Sequence, residues 1–267
     1  MSKANKIIIC FVFFVCPQFS YSQKIDLFPH EKAFTDNELL EYDVYYNWGV
    51  IWANAGWVNF SVTQDKFKGK KCFHFIGEGG SKPNWDWVYK VRDKYESYND
   101  TFNLRPFYYL RNTNDGGHWV INSAEFNNNE NSVYCKYKSY KQKEPVFDTL
   151  KTNYLTFDAI SMIYYSRCLN FSQYQPGDII PITIYLDNMI YYKSIKYVGK
   201  EELETVLGKK QCIKFKPSLI PGTLFKEGDE MTVWVTDDDN RVPVLVETPI
   251  LVGSIKAKIK SVRGLKN

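Results

Sequence analysis

Apolar and polar residues alternate with a period of two along most of this chain. Leu40, Tyr42, Val44, Tyr46 and Trp48 fall on one side of an extended segment and Glu41, Asp43, Tyr45 and Asn47 on the other, the pattern of a half-buried strand. Val58, Phe60 and Val62 repeat it opposite Asn59, Ser61 and Thr63, and residues 65–70, with Gly69, form a loop into a third strand near 72–77. Turn sequences then predict hairpins. Asn114, Asp115, Gly116 and Gly117 join 107–112 to 118–126, the Asn-rich 127–131 leads into 133–140, and Asp187 with Asn188 joins 182–186 to 190–198. Strand-like runs follow at 202–206, 211–215, 231–236, 242–247 and 252–260, with Leu207 and Gly208 as a turn. In the last run Ile255, Ala257 and Ile259 alternate with Lys256, Lys258 and Lys260, so one face of the sheet is apolar and the other is wet. The total is about a dozen strands, arranged as an antiparallel meander.

Two segments depart from that period. Thr156 is placed to cap a helix over 157–169, in which Phe157, Ile160, Ile163, Tyr164 and Cys168 recur at helical spacing and Ala159 and Met162 widen the apolar surface. Such a helix is buried against the sheet. A shorter helix is read over 85–91, where Trp87, Val88 and Val91 fall on one side, with an irregular loop as the alternative. Residues 141–154, with Pro145, read as a long connection between two halves.

The first 22 residues place these strands in a compartment. Lys3 and Lys6 precede an apolar run over 7–15, and Ser20 and Ser22 stand at the minus-three and minus-one positions of a cut before Gln23, the layout of a secretory signal peptide. The run is far short of the roughly 20 apolar residues that span a bilayer, so cleavage near Ser22 is expected rather than a permanent anchor. Cys16 is a poor lipidation site, with Val15 before it, Phe13 three back and Pro17 after it. An exported periplasmic or cell-envelope protein rarely meets ATP, nicotinamide cofactors or chromosomal DNA, and no cofactor is expected. Loss of two leader lysines leaves 32 basic residues of 34 against 30 acidic ones, which is no nucleic-acid-binding signature. No second run of about 18 apolar residues follows, so the mature chain is expected to be soluble, with peripheral membrane contact open to it. Residues 23–267 fit one β-rich domain, or two halves joined near 141–155. The 20 Tyr, 18 Phe and 7 Trp suit strands.

Cys72, Cys135, Cys168 and Cys212 outlast cleavage, and four cysteines in an exported chain allow three full pairings. None has a C-x-x-C or other metal spacing, and Cys72, Cys135 and Cys212 sit in strand-like segments as small buried hydrophobes do.

Several stretches, taken in order, carry a resemblance: EYDVYYNWGVIW (41–52), VRDKYESY (91–98), TFDAISMIYYSR (156–167), PGDIIPI (176–182), VGKE (198–201) and MTVWVTDDDNRVPVLVETPILV (231–252). Together they resemble the exported bacterial family known as domain of unknown function 3108, from near Glu38 to the C-terminus. The resemblance implies a secreted or periplasmic β-rich protein. It implies no reaction and no catalytic residue.

Candidate chemistry is sparse. Gly77, Glu78, Gly79, Gly80, Ser81 and Lys82 have the composition of an anion-cradling nest, but they lack nucleotide-loop spacing and read instead as a strand-end turn. Ser81 and Lys82, as neighbours on an extended chain, point to opposite faces. His30, His74 and His118 have no zinc spacing, and His74 between Phe73 and Phe75 reads as structural. There is no G-x-S-x-G elbow. Asp237, Asp238 and Asp239, followed by Asn240, read as a hairpin turn rather than a calcium loop. The strongest ligand-binding candidates are Trp85, Trp87, Arg92 and Asp93, with Asp86 between them and Glu78 counted with the group. Aromatic faces there can stack on sugar rings or lie against acyl chains while Arg92 engages a carboxylate or phosphate. The alternative is a buried aromatic plug held by an Arg92 to acid pair. Trp48, Trp52 and Trp57 can extend the same wall, although core packing is the ordinary fate of tryptophans in strands.

The expected fold is mainly β: an antiparallel, strongly curved sheet or open barrel around one main helix. A half-barrel of this kind encloses a concavity, as in envelope lipid carriers, and predicts a non-enzymatic binder or carrier of an amphipathic envelope molecule, a lipid or glycolipid. An envelope glycan-processing enzyme would need groups such as His74, Glu78, Asp86 and Asp93 to converge. A structural or assembly partner of envelope proteins would show an apolar patch or an unpaired strand edge.

Overall fold

The computed structural model describes residues 29, 31–48, 51–220, 230–250 and 253–266. The leader, the cut before Gln23, Cys16 and His30 lie outside the described residues.

Alternation becomes one sheet of 15 strands. Its N-terminal arm is a meander of β1 (Leu39–Trp48), β2 (Ile51–Phe67), β3 (Lys70–Ser81), β4 (Val91–Asp100), β5 (Pro106–Asp115), β6 (His118–Asn127), β7 (Ser132–Ser139) and β8 (Val146–Lys151). The chain then passes through β9 (Thr156–Asp158) and an α-helix, α1 (Ala159–Arg167), the only one among the described residues. A second meander follows: β10 (Ile179–Leu186), β11 (Met189–Thr205), β12 (Gly208–Pro217), β13 (Thr232–Thr236), β14 (Pro243–Pro249) and β15 (Ser254–Arg263). The two arms meet where β1 pairs antiparallel with β15, and β9 with β10 is the one parallel pair. Bulges in β1, at Tyr98/Asn99, at Tyr197/Gly199 and at Trp234/Val235 add local twist.

Curvature brings one end of the sheet over the other arm. Tyr185 of β10 packs with Tyr109, Ala124, Phe126, Val133 and Cys135 of β5, β6 and β7, and Asp158 accepts a 2.5 Å hydrogen bond from Ser97 Oγ of β4. The result is an open, barrel-like sheet. Its opposite end, β8, pairs only with β7 and leaves Val146 and Phe147 exposed. α1 lies on the concave face, with the Tyr164 ring stacked on Phe75 at 4.1 Å. Gly77 makes room for it, since a Cβ there would stand 2.7 Å from Ile160 Cδ1.

At its C-terminal end α1 delivers Arg167, 1% exposed, into a fully satisfied nest. Its Nη1 and Nη2 donate to the two Glu38 oxygens at 2.6 and 2.7 Å, Nη2 also to the Ala33 and Asn240 carbonyls, and Nε to the Arg241 carbonyl. One guanidinium thus ties the strap before β1, the helix and the β13–β14 turn together.

Several expectations need correction. The helix starts later than Thr156: residues Thr156–Asp158 form β9, and Asp158 caps α1 by accepting from Ile160 N and Ser161 N. Both residue types cap helices, and pairing with β10 decides between them. Residues 85–91 are not a helix; a 3-10 turn over Pro83–Trp85 gives way to an irregular loop. The runs at 190–198 and 202–206 are one strand, β11, bulged near Gly199, whose φ of +134° suits glycine. The connection at 141–154 contains β8. The glycine-rich 77–81 is neither nest nor turn but the C-terminal end of β3, still paired with β2 and β4. The Asp187-Asn188 turn forms as expected, both residues at positive φ. Asp238 caps its own turn, accepting from Thr236 Oγ1, Asn240 N and Arg241 N. Cys72, Cys135, Cys168 and Cys212 are all buried and free.

Candidate functional site

The loop between β3 and β4 is built around Asp86. Arg92 donates to it from both Nη atoms, at 3.1 and 2.6 Å, and Ser81 Oγ donates at 2.5 Å while accepting from Val91 N. These contacts hold the Asp86 carboxyl below the usual carboxylate range. Arg92 is therefore a clip that fixes the loop base, and Lys82 anchors the other side on Asp43 at 2.7 Å. With its base fixed, the loop raises Trp87, Val88 and Tyr89 into solvent, Trp87 being 82% exposed. Lys90 O accepts from Gly116 N, and the Tyr89 ring lies so close to Gly116 that a Cβ there would come within 2.4 Å of it. The apolar tip thus leans on the β5–β6 turn.

Residues paired directly across strands project to the same side. Below the tip, one lateral row on the concave face is Gly79, Asp93, Thr113 and Val120, and the next is Gly77, Tyr95, Arg111 and Asn122. Toward the rim, Val91, Asp115 and His118 make a third. Arg111, 14% exposed by side chain, gives Nη1 to both oxygens of Asp187 at 2.5 and 2.6 Å and Nε to Thr113 Oγ1 at 3.2 Å. Among the described residues, nothing accepts from its Nη2. Asn122 locks the same turn by donating to Tyr185 Oη and Asn188 Oδ1.

Two carboxyls here are unpaired, and the nearby Arg111 charge only partly offsets their burial. Asp93 accepts only from Asn114 N, at 3.2 Å, and neither it nor Asp115 forms an ion pair among the described residues. Burial, reinforced by the Asp115 charge, pushes the Asp93 carboxyl up to about 6, and burial raises Asp115 as well. Burial pushes the Tyr95 hydroxyl up to about 12. One row deeper, Tyr109 is fully buried, its hydroxyl has no hydrogen-bond partner, and Tyr95, Asp158, Arg111 and Asp187 surround it electrostatically.

The sequence candidates are divided among three places. Asp93 lies in a concave-face row below the tip, Trp87 stands at the loop tip, and Trp85, Asp86 and Arg92 build the loop base. Glu78 is on the convex face, 3.6 Å from Lys94. His74 is there too, stacked on Tyr98 at 4.1 Å and 3.2 Å from Glu96, so His74, Glu78, Asp86 and Asp93 do not converge. Trp52 lies under Lys256, on the lysine face, and the Trp48 side chain is outside the described residues. Arg111, Asp115, Tyr95 and Tyr109 were not among the candidates. Their signal is charge in an apolar phase: Arg111 and Asp115 occur in step with Tyr109 and Thr113 along one strand. Among the described residues, no three His, Cys, Asp or Glu side chains are grouped to hold a metal, and no helix is long and apolar enough to cross a membrane.

The profile of a family described as Protein of unknown function (DUF3108) matches residues 41–260. No curated protein compared with the chain matches it. A solved structure, "Crystal Structure of Beta-barrel-like Protein of Domain of Unknown Function DUF1849 from Brucella abortus", is similar with a TM-score of 0.57 and 9% identity, over 88% of this chain and 99% of that one. At that identity the likeness shows the fold alone.

Proposed function

The chain belongs to the DUF3108 family, and we propose that it is an exported, non-enzymatic binder or carrier of an amphipathic cell-envelope molecule, a lipid or glycolipid. One observation carries this reading: an exposed apolar tip, Trp87, Val88 and Tyr89, adjoins inward-facing polar side chains, Asp93 and Asp115, at the same end of the sheet. An amphiphile has the matching halves. The middle of the concave face is packed by α1, Phe75 and Phe157, so the ligand belongs at this end rather than beneath the helix. The separation of His74 and Glu78 from Asp93 by the thickness of the sheet weighs against the glycan-processing alternative.

Native mass spectrometry of the protein taken from its own envelope, with lipid extraction, tests the reading. A retained amphiphile that is lost on Trp87→Ala supports it. Ligand-free protein that also fails to take up lipid from vesicles overturns it, and recovery of the protein with the cytoplasmic fraction overturns the export.

A further inference from the structure

We propose that the protein docks reversibly on an anionic lipid bilayer, seating Trp87, Val88 and Tyr89 at the head-group level and setting Lys90, Lys141 and Lys143 against the lipid charges. The inference goes beyond the carrier reading, because a docked protein need not extract a lipid.

The tip is part of a continuous apolar prominence. It stands at the end of the sheet where β3, β5 and β7 finish and β4, β6 and β8 begin. Behind it, the Tyr89 and Tyr140 hydroxyls are near enough to interact electrostatically, and the exposed Tyr140 ring meets His118 edge-on at 4.6 Å. Trp52, exposed beneath Lys256, adds an aromatic ring at the same end, where β1 finishes and β2 begins. The opposite end is different. Its turns carry Lys68 and Gly69, Asn128 to Asn131, and Asp237 to Arg241, and its most exposed apolar side chains, Phe102 and Val206, stand on separate turns.

Charge at the tip favours an anionic surface. Lys90, Lys141 and Lys143 are exposed and form no ion pair among the described residues. Against them stands one exposed carboxylate, Glu144, since Asp86 is held by Arg92 and Asp93 and Asp115 lie in the concave-face rows.

The tip also suits lipid better than a protein partner. Trp87 Nε1 already donates to Asn84 O at 3.0 Å, so the indole can leave water without carrying an unpaired N–H into an apolar layer. The clip of Arg92 and Ser81 on Asp86 keeps the prominence raised rather than folded back onto the sheet. Its three apolar side chains expose on the order of 400 Å². That is about half of the roughly 800 Å² each partner gives to a stable protein interface. For a bilayer it is enough, because Trp and Tyr favour the head-group level and lysine stems reach along it.

The full mature chain is mixed with vesicles of phosphatidylcholine alone, or of equal phosphatidylcholine and phosphatidylglycerol, and binding is read by co-sedimentation. The mixed vesicles are expected to bind it, less strongly as salt rises. Trp87→Ala should weaken that binding about tenfold. Lys141→Gln and Lys143→Gln should each weaken it about fivefold, on the mixed vesicles only. Thermal melts of all three should match the parent, and Phe102→Ala, at the opposite end, should bind as the parent does. Brominated lipid should quench the tryptophan fluorescence of the parent far more than that of Trp87→Ala. Unchanged binding of Trp87→Ala, or an equal loss on Phe102→Ala, overturns the tip as the docking surface. Indifference to phosphatidylglycerol overturns the lysine contacts, and absence of vesicle binding overturns the proposal, including where the tip captures another protein instead. Docking by a protein that leaves the vesicles without any lipid keeps this inference and overturns the carrier reading; lipid retained by a protein that never sediments with vesicles does the reverse.

Discussion

Two arginines, Arg167 fully buried and Arg111 partly so, end differently. Arg167 meets only groups of its own chain: every guanidinium nitrogen has an acceptor, and the facing Glu38 is sealed with it. Arg111 gives Nη1 to both oxygens of Asp187 and Nε to Thr113, while among the described residues its Nη2 and a nearby tyrosine hydroxyl have no partner and two nearby carboxyls form no ion pair. A buried polar network that closes on itself serves the fold. One that stops short leaves groups unpaired, and the Tyr109 hydroxyl shares that state with Arg105 Nε and Tyr164 Oη among the described residues.

The comparison breaks most easily at the sealed end. Arg167→Met or Glu38→Gln leaves its partner buried and uncompensated, and thermal or urea unfolding should show a loss of about 3–5 kcal/mol. A loss below about 1 kcal/mol would make the two arginines equivalent after all.

Next is Asp93→Asn. An unfolded aspartate titrates near 3.9, whereas burial first and Asp115 second raise the folded carboxyl to about 6. Only well below pH 3.9 are both states protonated and nothing lost. Between about pH 4 and 6 the unfolded chain releases its proton first and stability falls, and above pH 6 the penalty is complete, on the order of 2 kcal/mol. The amide should therefore stabilise the protein by about that much at pH 7.5 and by only a small part of it at pH 4, measured as urea midpoints at both. Equal gains at the two pH values would contradict the assignment.

A smaller contrast separates two tyrosines. Tyr109→Phe deletes an unpartnered hydroxyl and should raise stability by up to about 1 kcal/mol, whereas Tyr185→Phe deletes a hydroxyl bonded to Asn122 and Asn188 and should lower it by a similar amount. Calorimetry of the pair reads the sign. Smallest of all, Trp87→Ala should move the melting free energy by no more than about 0.5 kcal/mol, because its ring packs on almost nothing. The same change should abolish the Trp fluorescence response to vesicles.

What the sequence made legible was whatever local chemistry decides. Asp187 with Asn188, and Gly116 with Gly117, specify tight hairpins, and the alternation of Ile255, Ala257 and Ile259 with lysines fixes which side of β15 is wet. The capping of α1 was misread because Thr156 and Asp158 are both good caps, and the three-residue β9 exists only through its pairing with β10. β11 read as two strands because the bulge at Gly199 resets the phase of the alternation. At the site, Asp93 was visible beside a Trp- and Arg-rich run, although its neighbour Arg92 proved to be the loop's clip. Arg111 and Tyr109 were hidden because their partners, Asp187, Tyr95 and Asp158, come from distant strands that only the curl of the sheet brings together. Charged residues in step with an apolar phase were the available clue.

The pairing of β1 with β15 has a consequence for how the chain is made. Each arm can zip from its own hairpins as it emerges, but Glu41 and Ser261, hydrogen-bonded across that seam, lie 220 residues apart in sequence. Closure therefore waits for the last strand to arrive, and until then β1 and β14 both present raw edges able to template the wrong partner. A chain cut short by a dozen residues at its C-terminus would lose Ile259 and its neighbours from the core and keep two sticky edges, a hazard during synthesis that β15 removes only once it is paired on both sides.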